Sequence, residues 1–277
     1  MKARIYILVL ATLATAAFSS ARGEASPSAA EARKSGEVKT VVLPGGAEME
    51  LIWCAPGSFE MGSPATEKGR VDSETHRTVS ITKGFWLGKY EVTQRQWASV
   101  MRGNPSRFKG DDHPVETVTW HDCEIFIRRV NAAIPEMSFR LPTEAEWEYA
   151  CRAGSKKPVA GSGLISEMAW YEMNSGSQTH DVGRNKPNDW GFYDMHGNVL
   201  EWCSDWYSVP TVGDAIDPKG PPSGSFKVLR GGCWFFCYND CRSAYRLRRE
   251  PGLRNCIFGF RLVCTERGQR PSASTAK

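Results

Sequence analysis

The sequence predicts a single α+β domain rich in loops, on three observations. Two apolar, alternating stretches, Glu48 to Phe59 and Thr78 to Tyr90, read as strands near its start. Two capping boxes, Thr93 with Gln96 and Thr143 with Glu146, open helices further along. From Ser155 to Pro222, Gly, Pro, Asn and Asp recur and regular structure thins out. No repeat and no shift in composition marks a second domain.

The first residues set the expected compartment. Met1, Lys2 and Arg4 give a basic start, Ile5 to Phe18 an apolar run, and Ser19 to Gly23 a small-residue region. Residues 1–23 are therefore expected to be a secretory signal peptide, with an apolar run too short to span a bilayer comfortably. No cysteine follows it, so a lipoprotein anchor is not expected, and the mature chain should lack a transmembrane anchor. The protein should be exported, to the periplasm or the cell exterior if the source is bacterial.

Residues 24–40, rich in Ala, Ser, Glu and Lys, are expected to be a disordered linker, with order beginning near Val41. The domain is assigned to 41–266 and a disordered tail to 267–277. In EMELIWCAPGSF the alternation turns back at Pro56-Gly57. The Thr93 box leads into Trp97 and Val100-Met101, a short helix. Cys123, Phe126, Ile127 and Val130 then lie at helical spacing, which predicts a helix from about His121 to Asn131. The Thr143 box starts a helix that runs to Arg152 and stops at Gly154. Beyond it, only Lys227 to Leu229 and Gly259 to Cys264 read as strands.

Losing residues 1–23 removes Lys2, Arg4 and Arg22 and no acid, so the formal charge falls from +4 to +1. Nucleic acid is not an expected partner. The nine cysteines, at 54, 123, 151, 203, 233, 237, 241, 256 and 264, all lie in the mature part. Most are expected in disulfides in an oxidising compartment, with at least one left over because nine is odd.

Two segments carry chemistry. Trp190 to Tyr207, WGFYDMHGNVLEWCSDWY, wedges Asp194, Gly197, Asn198, Glu201 and Asp205 among six aromatic residues. A buried carboxylate needs a partner, and the spacing of Asp194, Gly197, Val199 and Glu201 suits a turn offering two side-chain and two main-chain oxygens to calcium. A tight turn with carboxylates capped by N–H groups is the alternative. Arg230 to Arg246, RGGCWFFCYNDCRSAYR, repeats cysteine at 233, 237 and 241, and a loop fits its Gly-Gly start better than a helix. Two close thiolates would suit copper(I), while disulfides to distant cysteines would make the same residues structural. The chain has no Gly-x-Ser-x-Gly, phosphate-binding Gly-x-x-x-x-Gly-Lys or His-Glu-x-x-His, and its five histidines lack ligand spacing.

APGSFEMGS, GKYEVTQRQW, HPVETVTW, RLPTEAEWEYACRAG, HGNVLEWCSDWY, RGGCW, CRSAYR and FGFRLV occur in order between Leu51 and Val263. In these landmarks the chain resembles the formylglycine-generating enzyme family, also called the sulfatase-modifying-factor domain. The resemblance implies a compact, loop-rich α+β fold related to C-type lectins, with bound calcium. It implies oxidation of the cysteine in a Cys-x-Pro-x-Arg motif of a sulfatase polypeptide, by oxygen and a copper(I) held by two cysteines. Here Cys237 and Cys241 match that pair, three residues apart where the enzymes have four. Cys233 takes the place of a serine that assists the reaction, and Leu200 that of an active-site tryptophan. The family's bacterial relatives imply a Cys151–Cys241 disulfide, which would withdraw Cys241 from copper. One calcium site carries over to Asp194, in place of an asparagine, Gly197, Val199 and Glu201.

Two readings follow. The first is an exported oxidase with copper(I) on Cys237 and Cys241, or on Cys233 and Cys237, acting on sulfatases or Cys-x-Pro-x-Arg peptides. The second is a calcium-stabilised binding or scaffolding module in which the cysteines are structural. Iron-dependent sulfoxide synthases share the domain but add a histidine-bearing helical one, for which the roughly 40 residues before the fold leave too little chain.

Overall fold

The computed structural model describes residues 33–267. The expected signal peptide, residues 24–32 of the linker and residues 268–277 of the tail lie outside them. Strand β1 (Val38–Val42) pairs antiparallel with β2 (Glu48–Cys54), from Val38 opposite Ile52 to Val42 opposite Glu48. Order therefore begins inside the stretch assigned to the linker, because β2 offers it an edge and Val41 packs into the core.

Strand β3 (Gly57–Met61) turns back onto β4 (Arg77–Ile81). The apolar run expected as one strand from Thr78 to Tyr90 is broken: β4 stays with β3, and β5 (Phe85–Gly88) pairs with β2. Gly84 lies in the break, where any Cβ would strike the Trp53 ring. Helix α1 (Gln94–Val100) and α3 (Glu144–Arg152) begin at the two capping boxes. Helix α2 (Trp120–Ala133) has a third box, Thr119 with Asp122. Strand β6 (Met137–Arg140) lies between α2 and α3, and α3 ends on Ala153, held at φ 47° just before Gly154.

After α3 come α4 (Ile165–Met168), β7 (Ala169–Trp170), β8 (His196–Gly197) and β9 (Leu200–Trp206). Strands β10 (Ala215–Ile216), β11 (Lys227–Arg230), β12 (Arg246–Arg249), β13 (Phe258–Gly259) and β14 (Val263–Glu266) complete the chain. Sequence patterning missed β6, β9 and β12 and the two-residue strands β7, β8 and β10, and read the separate β13 and β14 as one strand from Gly259 to Cys264. Four sheets result, ordered β1-β2-β5-β14-β6, β10-β4-β3, β12-β11-β9-β13 and β7-β8.

The inner strands of the largest sheet are buried on both faces, and their alternate side chains enter two different cores. Met49, Leu51, Trp53, Trp86 and Cys264 point into a core shared with Phe126, Val130, Trp202 and Phe260. Their neighbours Ile52, Cys54, Phe85, Leu87 and Val263 enter a second core with Trp147 and Phe192. Strand β9 also faces both ways, with Leu200 and Trp202 in the first core and Cys203 in the second. Glu201 alternates with them and is thereby carried into the interior.

Candidate functional site

The turn before β9 is wound through left-handed backbone at Asp194 (φ 54°), Gly197 (φ 84°) and Asn198 (φ 55°). At Gly197 a side chain would collide with the Trp170 carbonyl, so glycine is required there. Asn198 ties the turn down: its Nδ2 donates to Glu91 Oε2 (2.8 Å), and its Oδ1 accepts from the His180 N–H (3.0 Å). The Val199 N–H donates to Glu91 Oε1 (3.1 Å).

Four charged side chains meet beneath this turn, and none is more than 1% exposed: Glu91, Asp194, Glu201 and Arg261. Arg261 takes Glu201 bidentately, Nε to Oε2 and Nη2 to Oε1, both at 2.6 Å, and the Trp147 indole donates to Oε2 (2.7 Å). Asp194 Oδ2 accepts from the Gly183 N–H (2.7 Å), while its buried Oδ1 has no hydrogen-bond partner. Burial raises the Glu91 pKa, and the charges of Asp194 and Glu201 raise it further. Burial likewise pushes Asp194 up to about 6. Three carboxylates against one guanidinium leave a deficit of two positive charges, which one divalent cation would supply.

The surplus of acid suits a hard divalent cation such as calcium. Asp194 would offer its unpartnered Oδ1, and Glu91 a second carboxylate whose oxygens already accept from Asn198 Nδ2 and the Val199 N–H. Among the described residues no three His, Cys, Asp or Glu side chains converge on one point, so carbonyls would have to share the shell. The Glu201 assignment changes: its carboxylate is already engaged by Arg261 and Trp147. Sequence patterning missed Glu91, about 100 residues upstream of the turn. Its only signal was a carboxylate between Tyr90 and Val92 at the end of an apolar run.

The cysteine segment follows β11. Gly231 and Gly232, at φ 98° and 75°, turn the chain into a loop that closes as a 3₁₀ turn, Tyr238–Cys241. Cys241 is fully buried with its sulfur against Gly232, and burial raises its thiol pKa strongly. Cys233 is also buried and pushed up to about 12. Cys237 is half-exposed, and its thiol donates to Asp240 Oδ2 (3.4 Å). The structure thus keeps the three in one loop but gives only Cys237 an accessible sulfur.

All nine cysteines are free thiols, so the expected disulfides, Cys151–Cys241 included, are absent. His196 stands between those two segments instead. Its Nδ1 donates to the Cys241 carbonyl (2.7 Å), and its Nε2 accepts from the Ala160 N–H (3.1 Å) and lies 3.7 Å from Cys151 Sγ. Burial pushes its pKa down to about 4, leaving a neutral imidazole as a polar rivet. A copper(I) site on Cys237 and Cys241 fits this arrangement poorly, because one sulfur faces outward and the other is packed on backbone.

A loop-rich α+β framework, a buried acid cluster under the β9 turn and a Gly-Gly cysteine loop together define a formylglycine-generating-enzyme type of fold. The chain belongs to the sulfatase-modifying factor enzyme 1-like family, whose domain matches residues 37–266. It is 35% identical over 228 residues to the chaperone protein LppX of Paenibacillus barcinonensis, covering 62% of this chain and 77% of that one. It is 35% identical over 212 residues to the formylglycine-generating enzyme of Bos taurus, covering 69% of this chain but 54% of the enzyme. The chain therefore spans about half the length of that enzyme. Among solved structures, Treponema denticola variable protein 1 superposes with a TM-score of 0.76 at 32% identity, over 82% of this chain and 98% of that one.

Proposed function

We propose that this protein is an exported, calcium-stabilised binding module on the formylglycine-generating-enzyme fold. The acid cluster carries the reading: Glu91, Asp194 and Glu201 are buried with Arg261 alone to offset them, and Asp194 Oδ1 has no partner. Calcium bound there would supply the missing positive charge and fix the turn that leads into β9. The buried sulfurs of Cys233 and Cys241 support the same reading, since they serve packing. Metal analysis of the purified protein by mass spectrometry tests it, together with thermal melts in calcium and in EGTA. One calcium per chain and a melt lowered by EGTA are expected; a metal-free protein with an EGTA-insensitive melt overturns it.

A second reading is the family's oxidase chemistry, with copper(I) on Cys237 and Cys241 and a sulfatase Cys-x-Pro-x-Arg segment as substrate. Two observations favour it: the half-exposed Cys237 thiol and the 35% identity to the bovine enzyme. Copper(I), oxygen and a Cys-x-Pro-x-Arg peptide are incubated with the protein, and the aldehyde is sought by mass spectrometry. Aldehyde lost in Cys237→Ser would establish the oxidase; no aldehyde from a folded, calcium-loaded protein would exclude it.

A further inference from the structure

A cleft of about 290 Å³ opens beside the N-terminus of α3, and its lining includes no residue of the acid cluster or of the cysteine loop. Five of its lining side chains carry charge: Arg77, Glu144, Asp205, Lys219 and Arg246. Among the described residues, the only salt bridge within this set joins Arg246 to Glu144. Glu144 is engaged by Arg246, whose Nη2 donates to its Oε2 at 2.7 Å, and also faces Arg230, while Arg246 directs its other donors to the Ser73 and Ser208 carbonyls. Lys219 lies exposed to solvent.

Asp205 and Arg77 are what remain. Asp205 is 4% exposed, and its Oδ2 accepts from the Glu144 N–H and the Ser204 hydroxyl, both at 3.0 Å. Its Oδ1 accepts no hydrogen bond from any described residue. Arg77 makes one long bond, Nη1 to the Thr211 carbonyl at 3.4 Å, and its buried Nε has no partner. Met61, Trp206, Val209, Pro210 and Pro218 supply apolar wall.

A buried carboxylate and a guanidinium that share a cleft without pairing are costly unless something else engages both. A ligand with one charge would satisfy only one of them. We propose that this cleft binds a small zwitterion, a free α-amino acid or a dipeptide, with its ammonium on Asp205 and its carboxylate on Arg77. The volume sets the size class, since it lies at the lower edge of the roughly 300–1,000 Å³ of drug-sized pockets. The apolar wall would take an uncharged side chain. Burial and the neighbouring Glu144 charge push the Asp205 carboxyl up to about 7, so an arriving ammonium meets an acid poised to ionise.

The test is saturation-transfer NMR on the full protein, with an equimolar mixture of the twenty standard amino acids and, separately, glycyl dipeptides. The stronger mixture decides the source. The tightest binder is then titrated against its decarboxylated and deaminated counterparts. Each counterpart should bind at least tenfold more weakly, and Asp205→Asn and Arg77→Gln should each weaken the parent zwitterion at least tenfold. Circular dichroism verifies folding, and if Arg77→Gln does not fold, Asp205→Asn alone decides. No transfer to either mixture, a singly charged counterpart that binds as tightly, or Asp205→Asn with unchanged affinity would each overturn the assignment.

Discussion

Arg261, two residues before β14, holds Glu201 in β9 through two charge-assisted bonds, Nε to Oε2 and Nη2 to Oε1, both 2.6 Å long. The same guanidinium donates from Nη1 to the Gly88 carbonyl (3.0 Å) and from Nη2 to the Tyr193 carbonyl (3.1 Å). One side chain therefore joins the end of β5, the middle strand of the large sheet, to the turn before β9 and to β9 itself, an inner strand of the four-stranded sheet. Its charge is what makes a buried Glu201 tolerable.

Replacing Arg261 by Met should leave three buried carboxylates without a guanidinium. The expected loss is about 3–5 kcal/mol, the range for breaking a buried pair from one side. The double variant Arg261→Met, Glu201→Gln should recover part of it, because it removes the orphaned charge as well. Urea unfolding of the wild type and these two variants measures both, and an Arg261→Met protein within 1 kcal/mol of wild type would rule this account out.

Calcium should stabilise the wild type measurably. At about 100 times its dissociation constant a ligand adds roughly 2.7 kcal/mol, which for a domain of this size is about 5–10 °C in melting temperature. Asp194→Asn and Glu91→Gln should each shrink that shift, since each removes one of the two carboxylates that Arg261 leaves unpaired. Melts that do not move between EGTA and millimolar calcium would contradict the assignment of Glu91 and Asp194.

The fold was most legible where signals were local. The Thr93 and Thr143 boxes each need only residues three apart, and both helices start there. Strand β9 was hidden because Glu201 and Asp205 look like turn residues until their distant partners, Arg261 and the Glu144 N–H, are in place. The break at Gly84 was hidden too, since the Trp53 ring that demands it lies about 30 residues earlier. The landmark motifs gave the family, and the turn drew attention to Asp194, which the structure buries beside Glu91 and Arg261. Glu91, by contrast, acts only through contacts across the fold, which no spacing rule records.

The thiols offer a direct check on the cysteine geometry. In the native protein, Cys237 and Cys256 are the two partly exposed cysteines and the other seven are buried. A thiol reagent should label those two first, lose one fast site in Cys237→Ser, and reach all nine only on denaturation. A denatured, unreduced protein with fewer than nine reactive thiols would mean that disulfides form after all.

Asp205 should give the unliganded protein a pH-dependent weakness. Below about pH 3 its carboxyl is protonated in both the folded and unfolded chains, so it shifts stability in neither direction. As pH rises toward 7 the unfolded carboxyl ionises, while the folded one, pushed up to about 7 by burial and then by Glu144, keeps its proton. Stability therefore falls across this window, by at most about 4 kcal/mol once both forms are ionised. Asp205→Asn keeps an acceptor for the Glu144 N–H and the Ser204 hydroxyl and removes the titration. The variant should differ from wild type least near pH 3 and exceed it at pH 8, as measured by urea unfolding in metal-saturated buffer. A difference that stays constant from pH 3 to pH 8 would show that Asp205 ionises in the folded protein as freely as it does in the unfolded chain.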